Sequence, residues 1–257
     1  MTRPWLAALA LSPFIVTCGP RGGTDVGNGA TVSFDVGGYK PSSAPVVNTV
    51  SKKGQARVDA FWVSVGSFQL QPGGSCQAPK KGGSFVFDGP VVGDLLQDTP
   101  SSAPDERVGV ESGEYCRLRM TLEPAAADEL PAGAPSEMAD ASVFIRGVRA
   151  DGTPFVVRST RSVNLRLKAP EDHPFSLADH EALMIGFDAD AAVAALDLDS
   201  LDADVEIRID EDTNVSRLSA LENRMKTSSR LFRDEDANGV LSIEETTEAK
   251  ELAIFEL

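Results

Sequence analysis

Between residues 31 and 210 the sequence is a succession of short segments in which apolar and polar side chains tend to alternate. The segment ATVSFDV shows the alternation directly, and ARVDAFWVSVGSFQLQ extends it into a long apolar and aromatic run. A period of two is that of a strand with one buried face. Clusters of Gly, Pro, Asp and Ser separate the segments, which predicts a mainly β fold, an antiparallel β-sandwich over residues 31–213.

Further segments have the same character, namely SFVFDGPVVGDLL, EYCRLRMTL, SVFIRGVRA, TPFVVRS, VNLRLKA and DADVEIRI. The dipeptide Asp151-Gly152 joins two of them, and its tolerance of positive φ predicts a tight hairpin. The stretch PAAADELPAGAPSEMAD is predicted to be a surface loop broken by prolines. HEALMIGFDADAAVAAL predicts a strand followed by a short helix.

The first residues, MTRPWLAALALSPFIVTCGP, are typical of a targeting segment. Arg3 precedes an apolar run at residues 5–16 that is too short to span a bilayer as a helix. The run ends in IVTC, which resembles a bacterial lipobox. The resemblance implies a signal peptide at residues 1–17 and a lipid on Cys18. The alternative is an ordinary signal peptide in which Cys18 is incidental.

Residues 18–30 are rich in glycine and predict a flexible tether between the lipid and the fold. The expected location is the bacterial cell envelope, with the protein anchored to the membrane and facing the periplasm or the outer membrane. The formal net charge of −15 repels phosphate backbones, which argues against a nucleic-acid partner. An envelope protein or a glycan stays open as a partner.

The chain has three cysteines, Cys18, Cys76 and Cys116. If Cys18 carries the lipid, the other two remain as one pair in a compartment that permits disulfides. Neither belongs to a CxxC pair of the kind that binds metal. A structural disulfide between Cys76 and Cys116 is therefore predicted.

Four segments, VSVGSFQL, VGDLL, SGEYCRLRM and IGFDADAAV, follow one another along the chain. In this order they resemble the strand region of a family of bacterial lipoprotein domains of unknown function. The resemblance implies a β-sandwich and an envelope location, and it implies no activity.

From residue 214 the pattern becomes helical. Leu218, Leu221, Met225 and Phe232 are spaced to share one face of a helix, with charged residues between them. A loop follows, and then ETTEAKELAIFEL predicts a second short helix. Residues 214–257 are thus predicted to form an EF-hand-like helix-loop-helix appendage that packs on the sandwich.

The loop itself, DEDANGVLSIEE at residues 234–245, carries oxygen-bearing side chains at alternating positions. It resembles the EF-hand calcium loop along its full length, and Ca²⁺ takes six to eight oxygen ligands in flexible geometry. Gly239 occupies the sharp turn, which glycine adopts without a Cβ penalty. The ligands that the resemblance implies are Asp234, Asp236, Asn238, the carbonyl of Val240, Ser242 and a bidentate Glu245.

The flanks of the loop depart from the family. Arg233 is charged and Thr246 is polar at positions where the family usually has apolar residues. Only one complete loop is present, since DEDTNVSRLSAL from Asp210 lacks both the turn glycine and the final glutamate. A single loop predicts a weak site, with a dissociation constant of about 10⁻⁴ to 10⁻³ M.

No nucleophile elbow, P-loop or GxGxxG motif occurs, so we do not expect an enzyme. The aspartates between residues 188 and 204 could hold a second cation or serve as turn and cap residues, and His173 and His180 could be ligands or surface residues. The predicted function is that of a non-enzymatic, calcium-binding, lipid-anchored envelope protein with a structural role. The alternative is a surface module that binds a glycan or a protein at a site shaped by calcium.

The lipid anchor can be tested by replacing Cys18→Ser. Because the thioether needs the thiol, the variant should lose fatty-acid labelling and be released from membranes. Labelling that persists in the variant would contradict the lipoprotein prediction.

Overall fold

A computed structural model of the chain describes residues 29–41, 56–77, 85–96, 108–202, 205–247 and 250–256. The predicted signal peptide, Cys18 and most of the tether lie outside these residues.

The described residues form strands, two α-helices and short 3-10 turns. The strands are β1 (Gly29–Gly38), β2 (Arg57–Pro72), β3 (Phe85–Asp94), β4 (Val108–Glu111), β5 (Gly113–Leu122), β6 (Val143–Val148), β7 (Pro154–Ser159), β8 (Val163–Lys168), β9 (Phe175–Leu177), β10 (His180–Phe187), β11 (Ile207–Ile209), β12 (Arg230–Arg233) and β13 (Ala253–Phe255). The helices are α1 (Ala189–Ala194) and α2 (Val215–Ser228). The mainly β prediction is therefore confirmed.

The strands form one mixed sheet that curls into a half-barrel, which corrects the expectation of an antiparallel sandwich. Its order is β11-β7-β6-β2-β5-β8-β13-β12-β10-β1-β4, with β3 on β2 and β9 on β5. Two neighbouring pairs, β1 with β10 and β7 with β11, are parallel. Alternation within a strand reports which face is buried, and it does not report the direction of the neighbouring strand.

The predicted hairpin at Asp151-Gly152 joins β6 to β7. Gly152 has a φ of +91° and donates its N–H to the Arg149 carbonyl at 2.9 Å. The turn thus uses the conformational freedom for which the glycine was singled out.

The concave side of the sheet holds the main hydrophobic core. Phe34 of β1 stacks on Phe68 of β2 with ring centroids 4.9 Å apart, so strands distant in the sheet order meet across the interior. Helix α2 fills this side with Leu218, Leu221 and Met225, each fully buried. The amphipathic pattern of the sequence therefore places the helix correctly. Neither α1 nor α2 is long and apolar enough to cross a membrane.

The predicted proline-broken loop covers part of the convex side. Its Met138 is fully buried in a second, smaller cluster with Trp62 and Phe144. Arg158 holds the loop in place by donating to the carbonyls of Ala139 and Asp140 at 2.7 and 3.1 Å. Trp62 is therefore enclosed by the protein.

The C-terminal segment differs from the predicted helix-loop-helix. Helix α2 ends at Ser228, and Phe232 lies in the strand β12 rather than on the helix. From residue 243, at the end of the loop, the described residues form turns as far as residue 247 and then the strand β13, so the predicted second helix is absent from them. Strands β12 and β13 pair with each other and join the main sheet through β10 and β8.

The predicted disulfide is confirmed. Cys76 and Cys116 form a disulfide bond in which their Cα atoms are 5.1 Å apart. The two cysteines are separated by 40 positions in the sequence. The bond ties the end of the β2 segment to β5, and both residues are fully buried.

Removal of this bond should destabilise the fold. In the chain-entropy model, closing a loop of this length contributes roughly 4 kcal/mol to the free energy of unfolding. The double variant Cys76→Ser, Cys116→Ser should lose about that amount in equilibrium urea denaturation, and reduced wild type should match it. A loss below about 1 kcal/mol would contradict this contribution.

Candidate metal centre

The predicted calcium loop begins where β12 leaves the sheet. The N–H of Asp234 donates to the Ala182 carbonyl at 3.0 Å, which extends the pairing of β12 with β10 by one residue. Arg233, which departs from the loop family, forms an ion pair with Glu181 at 2.5 Å and donates to the Ser176 carbonyl at 2.8 Å. Its charge therefore anchors the start of the loop to neighbouring strands.

The carboxylate of Asp234 organises the first half of the loop. Its Oδ1 accepts the N–H of Asn238 at 3.2 Å, and its Oδ2 accepts the N–H of Gly239 at 2.6 Å. Gly239 has a φ of +75°, in the left-handed region that favours glycine. The backbone thus folds around the first predicted ligand.

The carboxylate of Glu245 joins the two ends of the loop. Its Oε1 accepts the N–H of Glu235 at 2.7 Å, and its Oε2 accepts the N–H of Ser242 at 2.8 Å. The N–H of Glu245 in turn donates to the Ser242 hydroxyl at 3.2 Å. This reciprocal pair has the form of a capping box, and it accompanies the hydrogen-bonded turn in which the N–H of Thr246 donates to the Ser242 carbonyl at 3.2 Å.

Three of the predicted ligands converge. Asp234, Asp236 and Glu245 each offer a carboxylate oxygen, and these oxygens lie within 4.8 Å of one another. Asp234 and Glu245 are only 5% and 6% exposed. Among the described residues, none of the three carboxylates forms an ion pair with a lysine, arginine or histidine. The site therefore concentrates negative charge without a protein cation to neutralise it.

The surroundings shift the pKa values of Asp234 and Glu245 in opposite directions. Burial raises the pKa of Asp234, and Asp236 and Glu245 act in the same direction, against the N–H bonds from Gly239 and Asn238. Burial acts to raise the pKa of Glu245 as well, but its hydrogen bonds outweigh burial and hold that pKa below its ordinary value. Burial and the neighbouring carboxylates thus disfavour the ionised form of Asp234.

The other predicted ligands surround this triad. Asn238 donates from Nδ2 to Asp236 at 2.8 Å, and its Oδ1 accepts the N–H of Val240 at 2.7 Å. Ser242 is tied to Glu245 through its hydroxyl. The structure therefore brings the side chains of Asn238 and Ser242 to the carboxylates, while ligation by these groups and by the Val240 carbonyl stays a prediction.

One contact of the loop could not be inferred from the sequence. Thr246 is 4% exposed, and its hydroxyl lies 3.1 Å from the Ile243 carbonyl and 3.4 Å from the Lys40 carbonyl. Lys40 follows β1, more than 200 residues earlier in the chain. The polar residue that departs from the loop family therefore contacts the N-terminal part of the fold.

Three of the residues that the sequence offered as other possible cation ligands have ordinary structural roles. His180 hydrogen-bonds through Nδ1 to the hydroxyl of Thr31. Asp188 caps α1 by accepting the N–H of Ala191 at 2.9 Å, and Asp197 forms an ion pair with Arg217 at 2.9 Å. In the part of the chain that the structure describes, the triad is the one group of three or more His, Cys, Asp or Glu side chains with this convergence.

Comparison of the chain with models of protein families, with curated proteins and with solved structures gives no match. The resemblances to the EF-hand loop, the lipobox and the lipoprotein domain therefore stay predictions, and only the site itself supports a function.

The geometry predicts a distinct effect of Glu245→Gln in the absence of calcium. A glutamine presents an N–H₂ group to one of the two backbone N–H groups that the carboxylate now accepts. Opening of the loop should become easier by roughly 2 kcal/mol. Hydrogen exchange at the Glu235 and Ser242 amides should accelerate accordingly, read by NMR.

The matched control is Glu244→Gln, which removes the same charge from an exposed neighbour. It should leave exchange at both amides unchanged. Equal acceleration in the two variants would show that net charge, rather than the carboxylate clamp, controls the loop.

Proposed function

We propose that this protein is a calcium-binding protein of the bacterial cell envelope in which the ion closes the loop at residues 234–245. One observation carries the proposal: three carboxylates converge in the loop, two of them are buried, and no lysine, arginine or histidine of the described residues pairs with them. Carboxylates held this close repel one another, and this repulsion opposes folding. The attraction of each carboxylate to a divalent cation between them outweighs the repulsion.

The donor set favours calcium over transition metals. Carboxylate, amide, hydroxyl and carbonyl oxygens are hard ligands that suit Ca²⁺, and no histidine or cysteine belongs to the group. Mg²⁺ demands a tighter octahedron and gives up its water reluctantly, so we expect it to bind this set of ligands less well than Ca²⁺.

The proposed role of the ion is structural. It would draw Asp236, which is exposed, toward the buried Asp234 and Glu245, and so fix the segment between β12 and β13. The loop contacts β10 through Ala182, and Thr246, the residue after the loop, contacts Lys40, which follows β1. Closure of the loop therefore also stabilises the contacts of these segments. No catalytic function is proposed.

The envelope location rests on two supports. A buried disulfide suits a compartment outside the reducing cytoplasm. The N-terminal sequence has the features of a lipoprotein signal ending at Cys18. Lipid anchoring through this residue is part of the proposal.

The alternative, a glycan module that stacks sugars on aromatic rings, finds little support. Trp62, Tyr39 and Tyr115 are 7%, 7% and 1% exposed, so these rings are not presented at the surface. Any recognition of a glycan must use other side chains.

Asp236→Asn tests the proposed ligand set. Asp236 is exposed, so its replacement should cost little stability without calcium, while loss of a ligand charge should weaken calcium binding by at least about tenfold, or about 1.4 kcal/mol. Calorimetry measures the affinity. In wild type, calcium at about 100 times its dissociation constant should add roughly 2.7 kcal/mol of stability, and magnesium should add far less.

The control is Glu235→Gln, an equal change of charge in the same loop. Glu235 is exposed, forms an ion pair with Lys250 and does not belong to the triad. It should change the calcium affinity by less than about threefold. Absence of calcium binding by wild type at millimolar concentration, or equal losses in the two variants, would refute the proposed function.

A further inference from the structure

The convex face of β5 and β8 carries four positively charged residues, which we call the cationic face: Arg117 and Arg119 of β5, and Arg166 and Lys168 of β8. Arg119 lies directly opposite Arg166, and Arg117 lies directly opposite Lys168. Buried leucines and methionine alternate with them along both strands, which turns the cations to the outside of the half-barrel. Directly opposed side chains have Cβ atoms about 4.5–5.5 Å apart.

The opposition of Arg119 and Arg166 is costly for the isolated protein. Like charges directly opposite one another on a sheet are destabilising. Among the described residues, neither Arg119 nor Arg166 has a carboxylate partner, and both are exposed. The chain contains 39 acidic and 24 basic residues, so unpaired arginines opposed on one face stand out against the composition.

Neutral hydrogen-bonding side chains and one acidic residue border the cationic face, since Glu256 forms an ion pair with Arg117 at 3.0 Å. Gln69 and Gln71 of β2 lie opposite Arg119 and Arg117. Next to Arg119 and Arg166 along the same two strands, the Thr121 hydroxyl of β5 donates to Asn164 of β8 at 3.2 Å. Charged donors flanked by amides and hydroxyls suit a ligand that carries both anionic groups and hydroxyl groups.

We propose that the cationic face binds a polyanionic glycan, a sugar chain that bears sulfate, phosphate or carboxylate groups. The guanidinium groups of Arg119 and Arg166 hold these groups by paired, charge-assisted hydrogen bonds. The amides and hydroxyls of β2, β5 and β8 contact the sugar hydroxyls. The binding is ionic and needs no exposed aromatic ring.

Two features favour a glycan over other polyanions. A thin chain on the cationic face interacts mainly with the local cations, since charges are screened over about 8 Å at physiological salt. A flat anionic membrane instead meets the wider surface of a protein whose net charge is −15. An extended peptide adds to an open strand edge, whereas β5 and β8 both lie inside the sheet.

The test uses the full chain and fluorescently labelled dextran sulfate, with neutral dextran as the uncharged comparison. Wild type should bind dextran sulfate and not dextran, and the affinity should fall between about 50 and about 200 mM salt. The variant R119Q/R166Q should bind dextran sulfate at least about tenfold more weakly. Its melting temperature should be unchanged or raised, because an opposed like-charge pair is removed.

The control variant R57Q/R146Q makes the same change of net charge on β2 and β6. Both arginines are exposed and pair with their own acidic neighbours, Asp59 and Glu137. Its affinity for dextran sulfate should stay within about twofold of wild type. Equal losses in the two double variants, or no binding by wild type, would overturn the proposal.

Two further probes separate the glycan from the other polyanions. Vesicles of phosphatidylglycerol and a poly-glutamate peptide should each bind more weakly than dextran sulfate at the same concentration of charge. Tighter binding to either probe, lost in R119Q/R166Q, would overturn the glycan and assign the face to a membrane or to an acidic polypeptide.

Discussion

The pairing of β10 with β1 on one side and with β12 on the other brings the N-terminal and C-terminal parts of the fold into one sheet. It joins three segments that are far apart in the sequence, since Thr31 aligns with His180, and Met184 with Phe232. The N–H of Asp234 continues the same ladder, so the loop starts from a fixed point. Without this pairing, the first residue of the loop would not be held against β10.

Within the loop, backbone N–H groups stabilise like charges that lie close together. The carboxylates of Asp234 and Glu245 each accept two backbone N–H groups, which stabilises their ionised forms while burial opposes it. Hydrogen bonds of this kind orient the oxygens without the help of an ion. A preorganised anionic site loses less conformational entropy on binding than a flexible one does.

Much of the fold could be predicted from the sequence where the information is local. Alternation located most strands, Asp151-Gly152 marked a hairpin, and the spacing of Leu218, Leu221 and Met225 placed α2 on the core. The same spacing wrongly extended to Phe232, because a residue two turns further along satisfies the helical period even after the chain has left the helix. The strand β13 was missed because its three residues are too few to show a period.

The direction of strand pairing and the distant contacts of the site could not be predicted. Parallel pairing of β1 with β10 depends on register between segments about 150 residues apart, which no local pattern encodes. The convergence of Asp234, Asp236 and Glu245 could be predicted because the loop holds these carboxylates within twelve consecutive residues. The contact of Thr246 with Lys40 was not found, since it exists only through the sheet.

The position of β1 at the start of the described chain and between β10 and β4 in the sheet has a consequence for biogenesis. A chain that is made or exported from its N-terminus presents β1 before either neighbour exists, because β4 starts at residue 108 and β10 at residue 180. An unpaired strand is a template for association with other chains. Until β10 arrives, β1 is therefore the kind of segment that a holding chaperone must shield.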